Sequence, residues 1–158
     1  MVPRRGGLWS PHTKQFRYNE KTGELWFWIK FKADKKDYKC GYSRRSLTFG
    51  ADSIFSEGEV CADKFTASLI NTREYLGSGS DEIYRYFSDL PDLSAELIIT
   101  KLDTSENIIS GTFAFEMYQN IGDVDDYDFE NKLIISEGRF DFVYCPQGET
   151  IKGYTNDD

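Results

Sequence analysis

The stretch ELWFWIKFK, Glu24 to Lys32, alternates without a break: Leu25, Phe27, Ile29 and Phe31 fall on one face, and Glu24, Trp26, Trp28, Lys30 and Lys32 on the other. Successive side chains of an extended backbone point to opposite sides of a sheet, so a period of two is the mark of a strand. Wound as a helix, the same residues would scatter their apolar groups around the whole cylinder. The pattern recurs later in the chain. AELIITKLD, Ala95 to Asp103, is strand-like; TSEN, Thr104 to Asn107, is a hairpin turn; IISGTFAFEMY, Ile108 to Tyr118, is the return strand. There Ile109, Phe113, Phe115 and Met117 lie on the core face, and Ser110, Thr112 and Glu116 face out. In KLIISEGRFDFVY, Ile134, Phe140, Phe142 and Tyr144 share a parity, with Glu137-Gly138 interrupting the run as a bulge or corner.

The remaining segments read the same way. Lys14 to Tyr18, YKCGYSRRSLTFG with a bulge at Gly41, KFTASLI and EIYRYF are strands. NEKTG, ADKKD, SEGEV around Gly58, the GSGS stretch within Asn71 to Asp81, and SDLPDLS around Pro91 are turns or loops, with the GSGS stretch flexible. No window carries an amphipathic helical period longer than about two turns. About eight to ten short strands with regular turn signals predict an all-β, mainly antiparallel domain. The expected architecture is a β-sandwich; a flattened up-and-down barrel of the lipocalin kind is the alternative. The 158 residues suit a single domain. It is expected over 14–145, between an N-terminal segment, 1–13, and a flexible tail, 146–158.

A net charge of −8 excludes a phosphate-backbone binder, which needs a basic stripe, and disfavours docking on an anionic leaflet. No apolar run is long enough to span a bilayer as a helix. The start, MVPRRGGLWSP, has a basic beginning but no apolar core of a signal peptide, and reads as the raw edge of a truncated chain or as a remnant of expression engineering. Cys40, Cys61 and Cys145 show no CxxC spacing. They read as buried small hydrophobes, with a Cys40–Cys61 bridge as the second reading.

Four groups of residues are candidates for chemistry or binding. A nucleophilic triad needs a positioned imidazole, and the single histidine, His12, lies near an end. With 27 acidic residues no carboxylate pair stands out, so the chain reads as non-enzymatic, with no cofactor. DVDDYDFE offers oxygen ligands to a hard cation but fails the calcium-loop spacing: with Asp123 first, the sixth position is Asp128 rather than Gly and the twelfth is Ile134 rather than Glu. It reads as a solvated loop without a metal site. Trp26 and Trp28 project side by side opposite the apolar face and form a candidate platform for a sugar ring or a partner chain. Cover by a second layer or by the segment around Trp9 is the competing reading. Arg139 and Asp141 share a face two residues apart and read as a structural clamp after Gly138. Arg44, Arg45 and Arg85 read as cross-strand partners of acids.

The C-terminal run Leu97 to Tyr144 resembles a family of uncharacterised Bacteroidetes envelope lipoproteins, a domain of unknown function. The residues that carry the resemblance are Thr100, Lys101, Asp103, Ile108, Ile109, Ser110, Gly111, Thr112, Phe113, Phe115, Gly138, Arg139, Phe140 and Asp141. It implies an all-β, exported, lipid-anchored protein of the cell envelope, and brings no activity, cofactor or catalytic residue. The chain departs from that pattern at its start, which carries neither a signal nor a lipid-accepting cysteine. The functional expectation is a binding or structural domain that meets a glycan or protein partner through Trp26 and Trp28. The alternative is a carrier that holds a small apolar ligand inside a barrel.

Overall fold

The structure, a computed structural model, describes residues 9–33, 43–74, 81–88, 90, 92–122 and 126–154. The described residues form an antiparallel all-β domain of ten strands: β1 (Trp9–Asn19), β2 (Glu24–Ala33), β3 (Ser43–Ala51), β4 (Gly58–Glu59), β5 (Phe65–Glu74), β6 (Asp81–Phe87), β7 (Ala95–Asp103), β8 (Ile108–Asn120), β9 (Tyr127–Val143) and β10 (Ile151–Tyr154). The one helix among the described residues is a single 3-10 turn, Ala62–Lys64. Cys40, Gly41, Pro91, Asp123, Asp125 and the whole GSGS stretch lie outside the described residues; of the expected loop from Asn71 to Asp81, residues 71–74 instead continue β5 and Asp81 opens β6.

All ten strands belong to one curled sheet, ordered β10-β1-β2-β3-β5-β6-β8-β7-β4, with β9 on the far edge of β8. The curl comes from a fork. β8 carries β9 along one side; on its other side it carries β7 from Ile108 to Phe115 and then β6 from Tyr118 to Asn120. Two lobes, β10-β1-β2-β3-β5-β6 and β4-β7-β8-β9, are therefore hydrogen-bonded to each other through β6 and β8 while their inner faces oppose. The result is a half-barrel whose walls face each other much as the layers of a sandwich do.

The inner face is the one that the alternation selects. Leu25, Phe27, Leu47, Phe49, Phe65, Ala67 and Leu69 come from one lobe, and Leu97, Ile99, Ile109, Phe113, Phe115 and Met117 from the other. Within one lobe the rings of Phe27 and Phe49 stack at 4.5 Å, and phenyl rings interlock across the gap, with centroids of Phe27 and Phe113 at 5.5 Å, Phe49 and Phe115 at 5.4 Å, and Phe65 and Phe115 at 5.9 Å. Each such ring contributes roughly 1.5–3 kcal/mol by leaving water. Gly111 and Gly138 are seats for these rings. A Cβ on Gly111 would stand 2.5 Å from the carbonyl oxygen of Ile98 and 2.6 Å from the Phe140 ring; one on Gly138 would stand 2.2 Å from the ring of Phe113.

Two bulges change which residues face inward. Thr100 is the extra residue between Ile99 and Lys101, and it moves Leu102 onto the core side. In β9, Phe113 pairs with Gly138 and Phe115 with Ile135, so Ser136 and Glu137 form a bulge, with Glu137 at φ +57°. The bulge at Glu137-Gly138 is where the interrupted run placed it. The shared parity of Ile134 and Phe140 is not kept, because one extra residue inverts the alternation. Ile134 is 60% exposed and Phe140 5%; Leu133 and Ile135 pack inward instead.

The segment between β3 and β5 crosses from one lobe to the other. Val60 donates its amide to Leu97 O, Glu57 accepts from the amide of Leu102, and Ile54 donates to Gly23 O. Ile54 is buried and caps one end of the interior, where its carbonyl accepts the Tyr18 hydroxyl at 2.6 Å. Tyr144 packs edge-on against Tyr18 at 4.9 Å and donates to Glu20 Oε2 at 2.9 Å. Burial, and then Glu20, raises the pKa of both phenols.

The described domain is longer than expected at both ends. β1 begins at Trp9 and includes His12, and Ile151–Tyr154 pairs with Thr13–Phe16. The stretch 151–154 has too few residues to show a period; the open edge of β1 makes it a strand. The acidic loop is shorter than expected, since β8 runs to Asn120 and β9 starts at Tyr127. Cys61 is exposed and Cys145 half-buried, both as free thiols, so neither the buried-hydrophobe reading of Cys61 nor its bridge is realised. Cys61 stands just ahead of the 3-10 turn, on a connection that runs over the surface.

Candidate binding groove on the outer face

The outer, convex side of the sheet carries the even positions of β2, β3 and β5. Register sets the rows. Arg17, Trp26, Gly50 and Thr66 lie side by side across β1, β2, β3 and β5. The next row, Gln15, Trp28, Thr48 and Ser68, continues into Phe87 and Tyr118. The two tryptophans therefore face outward, as expected once Leu25 and Phe27 take the core face. Both are half-buried rather than fully exposed.

Beside Trp26 lies a groove. Between Trp26 and Phe87 the outer side chains of β3 and β5 are small: Thr48, Gly50, Thr66 and Ser68. One hollow, about 330 Å³, is lined by Trp26, Thr48, Gly50, Thr66, Ser68 and Phe87. A second, about 460 Å³, runs on from Trp26, Gly50 and Thr66 to Thr22, Glu24, Asp52, Asp63 and Lys64. The three shared residues make the two hollows one channel, with an aromatic end and a polar, mainly acidic end. Trp26 to Phe87 spans three strand spacings, roughly 14 Å.

Contacts along the rim hold the walls. The Arg17 guanidinium lies 5.4 Å from the Trp26 ring centre, and Arg17 Nη2 is 3.0 Å from Glu24 Oε1. That pair gives the indole a fixed neighbour on the β1 side. At the polar end, the Asp52 amide donates to Lys64 O at 3.0 Å and ties the two rim segments together. At the aromatic end, Phe87 meets Tyr127 edge-on at 6.3 Å. Tyr118 is covered by Phe129 at 5.1 Å and by the Lys132 ammonium at 6.0 Å. Residues 129–131 bulge out of the β8–β9 ladder and carry Phe129 there, with Asp128 accepting from the Glu130 amide and from Asn131 Nδ2.

Of the residues singled out from the sequence, Trp26 lines both hollows. Trp28 stands beside it over Gln15 and Thr48, outside the lining of either. Phe113, Phe115, Phe140, Gly111 and Gly138 belong to the core. Arg139 and Asp141 are exposed on the outer face of β9, and Asp141 accepts from the Ser110 hydroxyl at 2.5 Å. Arg139 forms no ion pair among the described residues. The cross-strand lock here is thus Ser110 with Asp141, not an arginine clamp. Arg45 lies in register between Phe31 and Asn71, and Arg85 between Ile70 and Asn120, so neither has an acid directly opposite. The sequence reading missed Gly50, Thr66 and Phe87. Their grouping depends on β3 pairing with β5 and β5 with β6, which no local pattern states.

A second polar cluster sits on the outer face of the other lobe. Ser94 donates its amide and hydroxyl to Glu116 Oε1 at 2.8 and 2.5 Å, and Lys132 Nζ is 3.2 Å from Glu116 Oε2. The Ser94 hydrogen bonds first, and then Lys132, hold the Glu116 carboxyl down to about 2. The chain from 92 to 94 is thereby fastened to β8 and β9.

In comparison with known proteins the chain matches no protein-family model, no curated protein and no solved structure. Among the described residues, no helix is long and apolar enough to cross a membrane.

Proposed function

We propose that the protein is a non-enzymatic binding domain that holds a glycan in the groove on its outer face. The observation that carries this reading is the channel beside Trp26: an indole at the wall, a floor of small side chains, and hydroxyls from Thr48, Thr66 and Ser68 within it. A sugar offers an apolar ring face to an aromatic side chain and hydroxyls to polar neighbours, and this groove supplies both. Placement in the cell envelope rests on the C-terminal resemblance alone.

A carrier of a small apolar ligand would use the interior. That space holds the interlocked rings of Phe27, Phe49, Phe65, Phe113 and Phe115, with Phe27, Phe49 and Phe115 fully buried, which favours the outer surface.

The test is calorimetric titration with oligosaccharides, run alongside tryptophan fluorescence. A binding sugar changes the emission, and Trp26→Ala weakens binding by at least about tenfold, as loss of an aromatic anchor does. Native mass spectrometry that showed a bound lipid and no sugar would overturn the glycan reading in favour of the carrier.

A further inference from the structure

Three glycines in strands have been placed by their surroundings, and they divide sharply. Gly111 and Gly138 are filled against: rings and backbone stand where a Cβ would go. Gly50 is the opposite case. A Cβ there would meet nothing within 4 Å, and its φ lies outside the left-handed region. Neither packing nor backbone geometry of the chain itself requires a glycine at this place. A glycine inside a strand weakens it and often marks a bulge, a tight bend or the close approach of another molecule; the register of β3 against β2 and β5 runs through Gly50 without a shift, so no bulge accounts for it.

The neighbours sharpen this. Gly50 sits directly across from Trp26 on one side and Thr66 on the other. An aromatic opposite a strand glycine often folds its ring over the bare backbone. Here the indole does not, since no atom of it comes within 4 Å of the Cβ position. The ring stands beside the glycine and leaves the space above it open. That space is where the two hollows meet.

We infer that Gly50 sets the specificity of the groove: its missing side chain admits a sugar ring against the backbone of β3, beside Trp26, and the sugar is uncharged or amino-bearing. This inference rests on the glycan reading of the groove. The charge preference follows from the polar end, where Glu24, Asp52 and Asp63 outnumber Lys64 and Glu24 is engaged by Arg17. A uronate or sulfated unit would place its charge among carboxylates on a protein already at −8. Two connected hollows fit two consecutive units of a chain better than a single sugar.

The test uses the whole chain and its Gly50→Ala, Gly50→Val and Trp26→Ala variants. The probes are tetrasaccharides of glucose, xylose, N-acetylglucosamine, glucosamine and galacturonate. Melting temperature is measured for each variant, because open space and an ordinary strand backbone predict that both Gly50 variants melt at or above wild type. The expected result is that wild type binds at least one uncharged or amino-bearing probe and not galacturonate. Gly50→Ala then weakens that binding by roughly tenfold to a hundredfold, and Gly50→Val abolishes it. If wild type binds and Trp26→Ala does not, while Gly50→Val binds as wild type, the Gly50 inference is wrong and the glycan groove stands. If wild type binds no probe at all, the glycan reading itself fails, and this inference with it. Equal binding of galacturonate overturns the charge preference.

Discussion

Replacing Gly138 by alanine tests the core at its tightest point. The new methyl would stand 2.2, 2.4 and 2.5 Å from three atoms of the Phe113 ring. Ordinary contact is near 3.5–4 Å, so the ring has to retreat by roughly 1 Å or more. It has little room. Phe113 is buried, with ring centroids of Phe115 at 5.2 Å, Phe27 at 5.5 Å, Phe49 at 6.1 Å and Phe140 at 6.5 Å around it. Overpacking of this kind costs about 1–3 kcal/mol. The backbone effect runs the other way, since Gly→Ala where alanine's backbone fits stabilises by about 0.4–1 kcal/mol. The net expectation is a loss of about 1–2 kcal/mol, against about 3–5 kcal/mol for Phe113→Ala. The diagnostic is the double variant. Phe113→Leu removes the ring atoms that clash, so Gly138→Ala should cost less in that background, with a coupling of at least about 0.5 kcal/mol. Urea melts give these values if the slope with denaturant is unchanged. A Gly138→Ala variant as stable as wild type, or strict additivity with Phe113→Leu, would refute the view that Gly138 is a seat for this ring.

Other expectations follow from the same geometry. The Glu116 carboxyl is held below its ordinary 4.5, at about 2, so it stabilises the fold above about pH 4.5 and loses that contribution as pH falls through about 2. Glu116→Gln should therefore be less stable than wild type at pH 7, with the gap in melting temperature closing under acid; a gap independent of pH would speak against the Ser94–Glu116–Lys132 cluster. Tyr18 and Tyr144 have raised pKa values, so their stabilisation is full below pH 10 and disappears at higher pH. Ultraviolet titration should show two phenols ionising above the ordinary tyrosine value of 10, and ionisation of both at or below it would argue against the capped end. Ile134→Ser should change stability by no more than about 0.5 kcal/mol in the same melts, because the bulge turns Ile134 outward. The Cys61 thiol should react with a thiol reagent in the native protein without denaturant, and slow labelling would contradict its exposure.

Much of this was legible in the linear chain wherever one strand has one buried face. The alternation in β2 and β8 states which side of each strand is apolar, because the period of two is a property of extended backbone and needs no neighbour. From it follow the all-β class, the antiparallel hairpin of β7 and β8, and the outward direction of Trp26 and Trp28. The interruption at Glu137-Gly138 was visible too, since glycine breaks the pattern it sits in. Its consequence was not. Whether one extra residue is inserted, and so whether Ile134 or Ile135 faces the core, depends on the register against β8.

Everything that depends on strand order was decided by tertiary structure. The joining of two lobes through β6 and β8 made one half-barrel, nearer the barrel alternative than the separate layers of a sandwich, and only a spatial pairing of residues far apart in sequence can do that. The same holds for Ile54, an isolated apolar residue that caps the interior, and for β10, which is a strand because β1 has an edge to offer. The glycines make the division plainest. By sequence Gly50, Gly111 and Gly138 are alike, each a gap in a strand. In the fold, rings from neighbouring strands occupy two of the gaps, and the third lies open beside Trp26. A side chain's absence is written in the sequence, but what fills the vacancy is set by the strands that fold around it.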